Sequence, residues 1–351
     1  MKINNTYVSA LLFVFLCGMG LSAAQAEKSK YVYKAGDASL QKWLLPATPK
    51  HPKGNKPNAA RVKLGKTLFF DPRLSGDGSM SCATCHNPQF GWSDGLPTAV
   101  GNKSQILERA TPTVVNTGYN FLQMWDGRKR TLEAQAMGPM EAAQEMNMDV
   151  PRLFRQLNSS KGYRAMFEAA YPGEAIDSKT LSKAMASYER TVVSNNSPFD
   201  RWVKGDAKAM TAQQVSGFKL FTGKAKCEDC HSAPNFVDNG FHNVGLPSYG
   251  EAEPDMGRYG IKPLGLMKGA FKTPTLRDVS MTAPYFHDGF AATLEDVVAH
   301  YSKGGVVKTN LSPNMHQLDL SKKEQQDVVA FVRALTSPQK AVTLPALPLD
   351  F

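Results

Sequence analysis

The chain has 351 residues, 42% of them hydrophobic, an ordinary fraction for a globular protein. Its 41 Lys and Arg against 31 Asp and Glu give a formal charge of +10. Such a charge suits nucleic acid, acidic proteins or a merely well-solvated surface. The export signal described next argues against nucleic acid and leaves the other two.

Lys2, the apolar run from Val8 to Leu21 and the small-residue end Ala24-Gln25-Ala26 read as a secretory signal peptide over residues 1–26, cut after Ala26. The run is too short for a good membrane span, so the mature chain has no integral membrane segment and is expected in the periplasm. Cys17 lies in this leader, and bulky Leu16 before it weakens a lipoprotein reading. The remaining chain is long enough for two domains.

Residues 27–57, with Pro46, Pro49, Pro52 and Pro57, read as an extended arm over the surface. A helix follows over Asn58 to Phe70, with Val62, Leu64, Leu68 and Phe69 mostly on one side. The turn Asp71-Pro72 leads to Cys82-Ala83-Thr84-Cys85-His86. Helices are expected at Val150–Leu157 and Ser178–Val193, and a boundary near Ser197-Pro198-Phe199-Asp200. Another helix starts near Thr211, with Val215, Phe218 and Leu220 apolar, and leads to Cys227-Glu228-Asp229-Cys230-His231. Further helices are expected at Leu294–Tyr301 and Ser321–Leu335, the latter with Ser321 and Glu324 as a capping box. No convincing alternating strand appears.

Cys-x-x-Cys-His is the attachment signature of a c-type haem: two thioether bonds hold the porphyrin and the histidine reaches the iron. The two copies use all four cysteines outside the leader, leaving none for a disulfide. Leu64-Gly65-Lys66-Thr67-Leu68-Phe69 and Gly217-Phe218-Lys219-Leu220-Phe221 are weakly alike, and each precedes a haem motif. The expectation is a mostly α fold of two cytochrome c-like haem domains with long loops, residues 58–197 and 198–340, and a tail over 341–351.

With these features, Leu96-Pro97-Thr98, Thr111-Pro112-Thr113, Trp125-Asp126-Gly127-Arg128, Thr273-Pro274-Thr275-Leu276-Arg277 and Thr282-Ala283-Pro284-Tyr285-Phe286-His287-Asp288-Gly289 make a chain that resembles the bacterial dihaem cytochrome c peroxidase family, in its MauG-like branch. The resemblance implies two covalently bound haem c groups. The one on Cys82, Cys85 and His86 reacts with hydrogen peroxide; the one on Cys227, Cys230 and His231 stores and passes electrons. Trp125 matches a tryptophan between the macrocycles. Gln135 and Glu145 match the distal polar residues, walled by Pro139, Met140 and Met146. A carboxylate in a mostly apolar pocket can shuttle the proton that peroxide cleavage requires; without the resemblance, Glu145 would read as part of a solvated helix face.

Four positions depart from other members. Tyr301 stands where peroxidases carry a methionine ligand to the second haem, as in the MauG-like branch; a packed aromatic at this position, or ligation by His300, are the other readings. Asn102 replaces a histidine that caps the first haem, which implies an open site. Ala110 replaces an asparagine ligand to an interhaem calcium, leaving the carbonyls of Thr282 and Pro284. Ala225 replaces the tryptophan by which MauG draws electrons from its protein substrate. The function these imply is a periplasmic oxidoreductase that takes oxidising equivalents from peroxide, shares them between both haems and oxidises a protein partner. The rivals are a detoxifying peroxidase fed by a small redox protein and a non-catalytic electron carrier.

Overall fold

The computed structural model describes residues 30–351; the expected signal peptide, with Cys17 and Ala26, lies outside the described residues. Two crossed helix pairs organise the unit from Tyr31 to Phe351. In the first, α1 (Ala59–Phe69) packs on α4 (Ser178–Glu189), with α2 (Val150–Ser159) and α3 (Lys161–Ala170) between them in sequence. In the second, α5 (Ala212–Thr222) packs on α7 (Lys322–Arg333), with α6 (Leu294–Ser302) alongside. Caps set these boundaries where the sequence places them. Asn58 accepts from the Arg61 amide at 2.8 Å, and Ser321 and Glu324 exchange hydrogen bonds, as do Thr211 and Gln214. The expected Ser178–Val193 helix ends earlier, at Glu189. Helix α3 escapes sequence reading because Ser160 closes α2 and caps α3 directly, with no intervening loop.

The paired glycines explain the weak repeat. A Cβ on Gly65 would run into the Ala184 carbonyl, and one on Gly217 into the Asp327 carbonyl, so both mark the closest approach of a helix crossing. Gly65→Ala and Gly217→Ala are each expected to cost about 1–3 kcal/mol, seen as a lowered Tm of the holoprotein. An unchanged Tm would place the crossings elsewhere.

Two separate apolar cores follow. The first gathers Leu64, Phe69, Leu153, Leu157, Leu181 and Met185. The second is dominated by rings: Trp43, Phe199, Phe218, Phe221, Phe236 and Phe331. A correction concerns the expected arm over residues 27–57. Part of it is no surface strap: Ala38–Trp43 forms a short 3-10 helix whose Leu40 and Trp43 are fully buried in the second core. The tail over 341–351 returns to the first core. There Asp350 accepts from the Ser160 hydroxyl at 2.9 Å, and the Phe351 ring lies 5.0 Å from that of Tyr163. Strand structure among the described residues is one antiparallel pair, Phe241–His242 against Phe271–Lys272.

Candidate active site

Each haem motif opens with a single turn that delivers its histidine. The His86 amide donates to the Cys82 carbonyl, and the His231 amide to that of Cys227, both at 2.8 Å. The ring Nδ1 of His86 faces the Trp92 carbonyl at 3.2 Å, and that of His231 faces the Phe236 carbonyl at 2.9 Å. A carbonyl partner puts the proton on Nδ1 and leaves Nε2 with a free lone pair, able to bind a metal. Burial lowers both ring pKa values, which keeps them neutral and able to ligate.

The two Thr-Pro-Thr segments hold these loops in the same way. Thr111 donates to Asp94 at 2.6 Å and Thr273 to Asp238 at 2.7 Å. Thr113 donates to the Gly91 carbonyl and Thr275 to the Asn235 carbonyl, in each case the residue before the carbonyl that fixes the histidine. Downstream, Glu133 pairs with Arg190 at the end of α4, and Glu295 with Arg333 at the end of α7. The repeat therefore extends from the helices to the hydrogen bonds that hold the loops of the two histidines.

The residues fit covalent haem. All four described cysteines are free, and burial pushes Cys85 up to about 11 and Cys227 to about 12. Among the described residues, the one convergent group of three metal-ligating side chains is Cys230, Asp238 and His242; neither motif gathers its own cysteines and histidine onto one point. That arrangement suits thioether attachment better than zinc.

A cavity of about 550 Å³ opens beside His86 and both its cysteines, a size that takes a cofactor. Trp125, Gln135, Glu145, Pro139 and Met146 all line it, as do Thr282 and Pro284; Met140, expected in its wall, is fully buried and does not line it. Gln135 ends the short helix Leu132–Gln135, which Thr131 caps. The Glu145 carbonyl accepts from the Asn102 amide at 2.8 Å. Burial raises the Glu145 pKa, with Arg128 pulling the other way. The Trp125 indole donates to the Ala110 carbonyl at 2.9 Å, while the neighbouring Asp126 is held by Arg109 and Arg128. The Trp125 carbonyl accepts from the Lys272 amide at 2.7 Å, so the tryptophan is fixed at both its ring and its backbone. Asn102 is buried and offers no imidazole to this site.

Tyr301, His231 and the second pair of cysteines lie outside this cavity. Burial, then the nearby Cys230 and Cys227 sulfurs, raise the Tyr301 pKa. The Nε2 of His300 donates to the Val244 carbonyl at 2.8 Å, and its Nδ1 is buried without a hydrogen-bond partner. Sequence reading missed two further residues of the first cavity. Glu189 is buried and pushed up to about 8, and Lys272 is buried and pushed down to about 8, both chiefly by desolvation. Nothing in their local sequence distinguishes them from surface charges.

A family model described as di-haem cytochrome c peroxidase matches residues 59–208. The methylamine utilization protein MauG of Methylorubrum extorquens is 44% identical over 332 residues, 94% of this chain and 92% of that one. The chain belongs to the dihaem cytochrome c peroxidase and MauG family. It is therefore an oxidoreductase of a family built around two haem c groups. The cytochrome c551 peroxidase of Nitrosomonas europaea is 36% identical, covering 83% of this chain and 84% of its own. The crystal structure of a MauG-like protein associated with microbial copper homeostasis superposes with a TM-score of 0.78 at 30% identity, covering 84% of this chain and 95% of that one. No helix among the described residues is long and apolar enough to cross a membrane.

Proposed function

We propose that this chain is a MauG-like enzyme of the periplasm that takes two oxidising equivalents from hydrogen peroxide and delivers them to a protein partner. The observation that carries the reading is a tyrosine at position 301, packed 6.0 Å ring to ring from Phe286, while the neighbouring His300 gives its Nε2 to the Val244 carbonyl. Haem c on Cys82, Cys85 and His86 would supply the peroxide-splitting iron, and haem c on Cys227, Cys230, His231 and Tyr301 a second redox centre. Glu145 takes the proton from the near oxygen of peroxide and returns it to the leaving one. Gln135 orients the peroxide by hydrogen bonding. Trp125, fixed by the Ala110 carbonyl, is the side chain through which the two sites share charge. Calcium at the Thr282 and Pro284 carbonyls belongs to the same reading, held loosely because two backbone oxygens are far fewer than the roughly six to eight calcium takes; metal analysis of the purified holoprotein counts it.

Stopped-flow spectroscopy of the ferric protein with peroxide tests the reading. Both haems are expected to change oxidation state together; oxidation of one alone refutes it. Fast steady-state turnover with a reduced small cytochrome would instead favour the detoxifying peroxidase.

A further inference from the structure

The ring-filled second core leads away from the second haem motif toward the start of the described chain. The Phe236 carbonyl holds His231, and the Phe236 ring lies 4.8 Å from that of Trp43, tilted by 33°. Trp43 lies 6.1 Å, ring to ring, from Tyr31. The Tyr31 hydroxyl donates to the Glu228 carboxylate at 2.5 Å. Glu228 stands between the two cysteines of the haem motif, and Lys42 approaches the same carboxylate at 3.3 Å. Beyond Tyr31, the half-buried Tyr33 ring lies 6.0 Å away, edge-on.

We infer that Tyr31, reached through Trp43, is the residue by which oxidising equivalents leave the second haem for the protein partner. This rests on the function proposed above. Ala225, two residues before the second haem motif, has no side chain to serve such a role. Phenol oxidation is easiest when the proton has an acceptor, and Glu228 is that acceptor. The Trp43 indole is fully buried, so an oxidised Trp43 has no solvent to take its proton and passes the charge on to Tyr31. Burial, then the Glu228 carboxylate, raise the Tyr31 pKa, so the phenol enters with its proton in place. The step balances. Tyr31 gives one electron through Trp43 to the peroxide-oxidised second site, which is reduced by one equivalent. The phenolic proton moves to Glu228, which becomes the neutral acid. The partner returns one electron to the phenoxyl, and Glu228 returns the proton. Two passes discharge one peroxide.

The test uses the holoprotein and one equivalent of hydrogen peroxide, without a partner. Stopped-flow absorbance follows formation and decay of the oxidised state, and freeze-quench electron paramagnetic resonance follows radicals during the decay. Wild type is expected to show a tyrosyl signal that narrows with ring-deuterated tyrosine. Tyr31→Phe is expected to form the oxidised state normally, lose that signal and hold the oxidised state severalfold longer. Glu228→Gln is expected to slow the decay and lose its solvent deuterium effect. Normal formation with an unchanged signal and decay in Tyr31→Phe overturns this exit alone. Failure of peroxide to oxidise the second haem in wild type overturns the parent reading, and the exit with it.

Discussion

Tyr301→Met is expected to raise the reduction potential of the second haem by on the order of a few hundred millivolts, within the ~0.8 V that axial ligands span in haem proteins. Phenolate is a hard anionic donor that favours the oxidised metal, whereas a thioether favours the reduced one. Each shift of about 59 mV is a tenfold change in a one-electron equilibrium, so a few hundred millivolts moves it by orders of magnitude. The variant should therefore accept electrons from small cytochromes and no longer share the peroxide-derived charge. The packing tolerates it: Tyr301 sits 6.0 Å, ring to ring, from Phe286, and methionine fills irregular apolar space. Spectroelectrochemical titration reads the potential and stopped-flow the loss of shared oxidation. An unchanged potential would mean that Tyr301 does not touch the metal.

Glu145→Gln is expected to slow the peroxide reaction by about 10²–10⁴-fold, the usual worth of a positioned acid–base group. The substitution keeps the shape of the side chain, and the Glu145 carbonyl keeps its bond to the Asn102 amide. The pH dependence has a defined sign. Glu145 must begin ionised to take a proton, and burial has raised its pKa. The wild-type rate should climb as pH rises through that elevated value, from a slow acid limb to a plateau. The Gln variant should be slow throughout and lack the limb. Stopped-flow rates across the pH range check both, and a variant within about threefold of wild type would assign the proton transfer elsewhere.

A Cys-x-x-Cys-His motif is readable in a sequence because its chemistry is contiguous: five residues can carry two attachment points and a ligand, and the family to which the chain belongs is built around two haem c groups. The main helices were legible from caps such as Asn58, Thr211 and Ser321, which act within a single turn. The role of the Thr-Pro-Thr segments was not, since Thr113 reaches back 22 residues to Gly91 and Thr275 reaches 40 to Asn235. Leu40 and Trp43 looked like part of a loose arm because every ring that packs on Trp43, Tyr31 apart, lies more than a hundred positions later. Glu189 and Lys272 gain their perturbed character only once distant segments enclose them.

The burial of Trp43 among Phe199, Phe218 and Phe236 bears on how the molecule is made. Synthesis runs from the amino end, so this indole emerges long before the residues that shelter it. Until then it is an adhesive patch on a nascent chain. At the other end, Phe351 and Asp350 reach back to Tyr163 and Ser160. Severing the gene near Ser197 would deprive one product of its wedge and the other of its clasp, so the halves should mature together or not at all.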